Sequence, residues 1–327
     1  MKVLLLQLDG KLPNLALCRI AAHHRALGDD VELRQVRTLD AVGRGLWDRD
    51  GKVYASLIFE RSRPLAKRVL AVWPDAVIGG TGWDERINLE QHGITTTQHD
   101  FSDYPAFRQS MGFSQRGCRL SCVFCKVPNA EGKVRDVAAI AELWRGEPYP
   151  RELLLLDNDF FGSPTWRQKI ADLREGKFKV SFNQGVNARM ISEEAAEAIA
   201  SVNYRDDSMK VRRLYTAWDS KEDEAVLFRG LRWLVKAGIR PDDIMVYCLI
   251  GYWAGETETD WLYRQQRIED FGSRAYPMPY VRNRLTLGFQ RWVIRRASRK
   301  VSWAEYKAVN CRPEKLKQRL ALPMLFS

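Results

Sequence analysis

The sequence predicts an α/β protein: an N-terminal doubly wound parallel sheet, then a partial (β/α)6 barrel, then a basic helical C-terminal extension. Three observations lead there. Strand-like and helix-like stretches alternate through the first hundred residues, and such a chain builds a parallel sheet with helices on its faces. A second alternation runs from about residue 107 to 280 with six strand-like and five helix-like segments. These are too few for a closed eight-unit barrel and suit an open one. Charge is uneven as well: of a net +11, residues 282–327 carry +10, with twelve Lys/Arg against Glu305 and Glu314. The expected domains are therefore 1–100, 101–284 and 285–327 of the 327 residues.

In the first region, 2–8 is an apolar run, 14–27 has helical spacing, 31–36 and 53–59 are strand-like, 63–72 is helical and 75–78 closes on Gly79-Gly80. Gly80-Thr81-Gly82 marks a turn at a strand's C-terminal end, where open α/β sheets place ligands. Residues 84–104 are rich in Thr, Gln, His and Asp without periodicity and are expected to link two domains. His23 and His24, adjacent on a helix, point in different directions and are expected at its surface.

In the second region the expected strands are 110–114, 152–156, 179–183, 213–218, 243–250 and 273–278. The expected helices are 134–145, 166–175, 192–202, 222–237 and 258–270, with Gly238 capping the fourth. Residues 285–300 read as a further helix in which Leu285, Leu287, Phe289, Trp292, Val293 and Ile294 give apolar surface and Arg291, Arg295, Arg296 and Arg299 spread around it. Arginine interleaved with aromatics is what a phosphate-tracking surface needs, so nucleic acid or another polyanion is an expected partner; a solvated helix face is the alternative.

Composition, 45% apolar and 28% charged, is that of a globular chain rather than a disordered one. No apolar run is long enough to cross a bilayer, and the run 3–6 is cut short by Asp9, so neither a membrane anchor nor a signal peptide is expected. Six cysteines, three packed into eight residues and three scattered, do not make a secreted disulfide framework; a reducing cytoplasm is the expected location. Cys18 and Cys248 read as core residues, and Cys311 lies in the basic tail.

Cys118, Cys122 and Cys125 stand at CxxxCxxC spacing directly after the first strand of the second region. Thiolates are the usual ligands of iron–sulfur clusters, and four saturate a cubane; three local ones leave one iron free. Zinc would need a fourth ligand, and neither CxxC…CxxC nor CxxC…HxxxH spacing is present. A [4Fe–4S] cluster is the expectation. A structural zinc site, a redox cysteine cluster and a chance spacing are the alternatives for the loop, and a non-enzymatic zinc-binding protein on nucleic acid is the competing class.

Phe124 places an aromatic just before the last cysteine, and this loop resembles the defining motif of the radical S-adenosylmethionine (SAM) superfamily. The stretches 111–118, 127–132 and 155–160, Asn183-Gln184-Gly185 with Arg189, Ala217-Trp218-Asp219, 247–252 and Met278-Pro279-Tyr280 are similar to radical SAM proteins with a cobalamin-binding-like N-terminal domain. The resemblance implies that the free iron binds the amino and carboxylate groups of SAM. An electron from the cluster, supplied by a reductant such as flavodoxin or ferredoxin, then cleaves the sulfonium to methionine and a 5′-deoxyadenosyl radical. That radical abstracts hydrogen from a substrate, for which a nucleotide, a nucleic acid or another phosphorylated compound suits the basic tail.

Polar residues at the C-terminal ends of barrel strands face the reaction space, which makes Asp157, Asn158, Asp159, Asn183, Gln184 and Asp219 candidates. The resemblance implies that the second-strand end meets the SAM amino group, where many members carry Gly-Gly-Glu; this chain has none, and Asp157 or Asn158 takes its place. Arg189 offers a fork for the SAM carboxylate, and Asp219 an acceptor for ribose hydroxyls. Ile250-Gly251 resembles the segment whose backbone contacts adenine, glycine permitting close approach. A salt bridge, a cap or a turn is the ordinary alternative for each.

Asp9-Gly10-Lys11-Leu12-Pro13-Asn14 follows the first strand where cobalamin-binding domains carry DxHxxG. Lys11 stands at the histidine position, and an ammonium does not coordinate cobalt unless deprotonated. Three readings stay open: cobalamin bound without a protein ligand, a domain repurposed for substrate, and a scaffold without ligand. With cobalt the activity would be cobalamin-dependent methyl transfer.

Overall fold

A computed structural model describes residues 1–43, 51–84 and 86–311. The chain is a mixed α/β protein of two compact units, Met1–Arg108 and a second beginning at Gln109, so the boundary falls later than the expected residue 100.

The first unit is a four-stranded parallel sheet of β1 (Lys2–Gln7), β2 (Asp30–Gln35), β3 (Gly51–Ser56) and β4 (Val77–Gly79) in the order β2-β1-β3-β4. Side chains alternate faces along a strand, and β1 is apolar on both, as a strand covered on two sides must be. Val3 and Leu5 pack with Leu17, Ile20 and Ala21 of α1 (Leu15–Ala26); Leu4 and Leu6 pack with Ala66 and Val69 of α2 (Arg63–Val72). Asn14 caps α1, its Oδ1 accepting from the N–H groups of Ala16 and Leu17.

Residues 84–104, expected to be a link, belong to this unit. Ile94 is fully buried, Arg19 donates to the Thr96 carbonyl at 2.7 Å, and Arg25 pairs with Asp100 and Asp103 at 2.7 and 2.9 Å. The hydroxyl of Tyr104 donates to Gln7 Oε1 at 2.9 Å. Polar residues without periodicity here are anchors rather than a tether. His24 also differs from expectation: it is 2% exposed, held by Asp29 at 2.7 Å and the Tyr54 hydroxyl at 3.1 Å.

The second unit begins with β5 (Ser110–Gly112). A short antiparallel pair follows, β6 (Gln115–Arg116) with β7 (Arg135–Asp136); between them lies α3 (Val127–Ala130), and α4 (Ile140–Leu143) comes after. The expected helix over 134–145 is thus a two-residue strand and a single turn. Its backbone is claimed from afar: Val137 N–H donates to the Ser114 carbonyl at 3.0 Å, and Asp136 accepts from Lys169 and Ser163.

Beyond it, β8 (Glu152–Leu155), α5 (Trp166–Glu175), β9 (Lys179–Phe182), α6 (Glu193–Ser201) and β10 (Asn203–Tyr204) complete a parallel sheet of order β10-β9-β8-β5. A second parallel sheet, β11-β12-β13, holds Leu214–Ala217, Ile244–Ile250 and Arg274–Pro279. Its crossovers are α7 (Glu224–Lys236) and α8 (Glu258–Asp270). Val186 N–H donates to the Tyr215 carbonyl at 2.8 Å, tying the end of one sheet to β11. Gly238 has φ +98°, the left-handed cap conformation expected of it.

The expected helix over 285–300 is two elements. Helix α9 (Arg284–Ile294) stops where Arg296 takes φ +56°, a short 3-10 turn follows, and α10 (Trp303–Asn310) folds back. Phe289, Trp292, Val293 and Trp303 join the core built by β8 to β13, so this stretch is part of the second unit rather than a separate extension. Arg312, Lys315, Lys317 and Arg319 lie outside the described residues.

Candidate functional site

The chain leaves β5 at Gly112 and enters the cysteine loop through Ser114–Gly117, a turn shaped by acids at the end of β8. Asp157, 3% exposed, accepts from Ser114 N–H at 2.7 Å, from Gln115 N–H at 3.1 Å and from the Ser114 hydroxyl. Burial pushes its carboxyl up to about 6 against the pull of those donors. Asp159 takes the backbone N–H of Arg119 at 3.1 Å and both arms of its guanidinium at 2.7 and 2.9 Å. Gln115 bridges the two, accepting from Asp159 N–H at 3.1 Å and donating to the Gly117 carbonyl at 2.6 Å.

Glu131 closes the other side. It accepts from Gly117 N–H at 2.9 Å and from Asn158 Nδ2 at 2.8 Å, and pairs with Arg116 at 2.9 Å. Gly117 has φ +81°, and a Cβ there would lie 2.2 Å from the Lys133 carbonyl oxygen, so only glycine fits.

All three loop thiols are free and half-buried, and each receives a hydrogen bond at sulfur: Leu120 N–H to Cys118 at 3.4 Å, Val127 N–H to Cys125 at 3.4 Å, and Arg189 Nη2 to Cys122 at 3.8 Å. Burial pushes the Cys118 and Cys125 thiols up; the N–H donors oppose it and the neighbouring sulfurs add to it. Donors aimed at sulfur stabilise the thiolate once a metal replaces the proton. No protein-family model and no curated protein matches the chain. The site therefore rests on its own geometry.

Arg189 does more than expected. Besides Cys122 it pairs with Asp223 at 2.6 Å, which leaves its fork shared between a sulfur and an acid. Asp219 lies at the end of β11 and accepts from Leu249 N–H at 3.3 Å; burial pushes it up, and Arg189 opposes the shift. Asn183 is half-buried and Gln184 exposed, and neither side chain has a hydrogen-bond partner among the described residues. Ile250 is buried, and Gly251, at φ +74°, donates its N–H to Glu256 at 2.7 Å. The Phe124 ring packs edge-on against Tyr252 at 5.5 Å and Trp253 at 6.3 Å.

The expected candidates at the ends of β8, β9, β11 and β12 thus lie in the second unit with the cysteine loop; Phe124 is part of that loop, and contacts join Asp157, Asp159, Arg189 and, through Glu131, Asn158 to it or to the turn that leads into it. Four contributors carried no assigned role: Gln115, Glu131, Glu256 and Arg264. Arg264, 1% exposed, donates to the carbonyls of Trp218 at 3.1 Å and Leu249 at 2.8 Å and pairs with Glu256. A signal for it existed, since it falls at i+3 on the buried stripe Trp261, Gln265, Ile268 of α8, where a charge needs a partner. Among the described residues, no group of three His, Cys, Asp or Glu side chains is placed to hold a metal ion, and no helix is long and apolar enough to cross a membrane.

Proposed function

We propose that the protein is a radical SAM enzyme whose second unit is a partial (β/α)6 barrel formed by β5, β8, β9, β11, β12 and β13. The observation that carries the reading is the loop after β5: three free thiols at CxxxCxxC spacing, each met at sulfur by a donor. Those donors and the half-buried position suit a [4Fe–4S] cluster. A cubane takes one thiolate on each of three irons, which is what this loop supplies, whereas zinc would need a fourth ligand that its spacing does not offer. When bound, cluster and SAM together supply reductive cleavage of the sulfonium and a 5′-deoxyadenosyl radical.

The chain's own residues have separable tasks. Cys118, Cys122 and Cys125 hold iron. Asp157, Asp159, Gln115 and Glu131 fix the loop on the β8 end. Asn158, whose Nδ2 is turned to Glu131, leaves its amide oxygen as an acceptor for an ammonium, the task that Gly-Gly-Glu performs in similar proteins. Arg189 places a positive charge beside Cys122, which suits a carboxylate, and Asp219 a half-committed carboxylate for ribose hydroxyls. Arg264 and Glu256 hold the β11 and β12 ends that present Asp219 and Gly251. The reading includes a cytoplasmic location and a flavodoxin- or ferredoxin-type reductant.

Cobalamin held through a protein ligand is not part of it. Lys11 is exposed and Asp9 is spent on the N–H groups of Ile58 and Phe59 at 2.8 and 2.9 Å. Asn14 donates to the Ser56 hydroxyl at 2.9 Å. The residues at the β1 and β3 ends satisfy one another and offer cobalt no ligand. Formation of 5′-deoxyadenosine by the reduced, iron-reconstituted protein tests the proposal.

A further inference from the structure

Beyond Phe124 the aromatic contacts continue outward. Tyr252 meets Trp253 at 5.1 Å and Tyr280 at 4.7 Å, both edge-to-face, so the rings brace one another. Backbone contacts hold two of them in place: Trp253 Nε1 donates to the Asp219 carbonyl at 2.7 Å, and Tyr280 N–H to the Ile250 carbonyl at 3.0 Å. Yet Trp253 is 38% and Tyr280 54% exposed, and Val281 beside them 52%. Large rings fixed in place and left in water at the rim of a candidate site mark a binding surface.

The chain that follows Tyr280 carries charge of one sign. Residues 282–300 contain seven Arg/Lys and no Asp or Glu. Arg282, exposed, follows the platform directly; α9, eleven residues and so about 16 Å long, separates it from exposed Arg295, Arg296, Arg299 and Lys300. Braced, part-exposed rings next to a cationic track answer the two parts of a nucleic-acid strand, bases and phosphates. A duplex keeps its bases stacked and cannot use the rings.

We propose that Trp253 and Tyr280 form a base-stacking platform at the mouth of the barrel and that the macromolecular substrate is a single-stranded nucleic acid whose phosphates run along α9. This deepens the radical SAM reading and rests on it for the word substrate, but binding is measured apart from catalysis.

Holoprotein, without reductant or SAM, is titrated with fluorescein-labelled single-stranded RNA, single-stranded DNA and duplex of about twelve nucleotides at two salt concentrations. Single strands should bind better than duplex. W253A and Y280A should each weaken binding about 5- to 100-fold with the salt slope unchanged, and Y280F, which keeps the ring, should bind within about 2-fold of wild type. R295A/R296A/R299A should instead flatten the log–log salt slope by about 2. Cluster absorbance confirms that each variant is folded. Equal binding of duplex and single strand, or ring variants that bind like wild type, overturns the proposal, as does failure of every oligonucleotide to bind. Because no SAM is cleaved in this titration, its failure leaves the radical reading standing, and loss of 5′-deoxyadenosine formation leaves the platform standing.

Discussion

Asp159 holds Arg119 by both its main chain and its side chain: Oδ2 accepts the backbone N–H at 3.1 Å and Nε at 2.7 Å, while Oδ1 takes Nη2 at 2.9 Å. Asp159 is 2% exposed, and Arg119 directly follows Cys118. One buried carboxylate therefore ties the end of β8 to the first cysteine.

Removing that tie should loosen the loop before it unfolds the protein. D159A is expected to cost about 1–3 kcal/mol, because it removes the acceptor of the Arg119 backbone N–H and guanidinium, the latter still a third exposed to water. Iron should also be lost faster to a chelator than from wild type. Urea titration of the iron-free protein and the rate of cluster bleaching check the two parts separately.

Asp157 gives a pH signature. Burial raises its folded-state value to about 6, above the ordinary carboxylate value near 4, so the native state holds this proton more tightly than the unfolded chain. The stabilisation is fully present below pH 4 and is lost as pH rises through 6. The stability of wild type minus that of D157N should fall by about 2–3 kcal/mol across this window. Denaturant titrations of both iron-free proteins from pH 4 to 8 measure it; a flat difference contradicts the assignment.

His99 has the opposite sign. Burial, with Arg19 adding to it, pushes its imidazole down to about 4, so its neutral form belongs to the native state. Its contribution is present above pH 6.5 and is lost as pH falls toward 4. The ring carbon-bound protons, followed by NMR, should titrate near pH 4, and H99F should remove that part of the acid sensitivity.

The Arg264–Glu256 pair should behave as a buried ion pair does. R264M alone strands the Glu256 carboxylate, which is 6% exposed, and should cost about 3–5 kcal/mol; R264M/E256M should cost less than the sum of the single changes. A double-mutant cycle by chemical denaturation reads the coupling, and additivity within about 0.5 kcal/mol contradicts it.

Much of this was legible in the sequence where local pattern decides. Helix bounds at Trp166–Glu175 and Glu258–Asp270 coincide with the periodic segments, and Gly238 caps where its freedom is needed. Contacts between distant residues were not legible. Residues 134–145 have helical spacing, yet Ser114 takes their backbone and Lys169 their carboxylate. Residues 84–104 lack periodicity, yet Arg19 and Arg25 dock them. At the site, the cysteines announced themselves by spacing, while Gln115 and Glu131 act through partners more than a dozen residues away that no local pattern names.

The central claim is that the three-cysteine loop initiates radical chemistry. Protein reconstituted anaerobically with iron and sulfide is reduced with dithionite in the presence of SAM, and 5′-deoxyadenosine is quantified by liquid chromatography and mass spectrometry. Wild type should form 5′-deoxyadenosine and methionine, and C122A should lose both the cluster and the product. A wild-type protein with its full complement of cluster iron that forms no 5′-deoxyadenosine contradicts the claim.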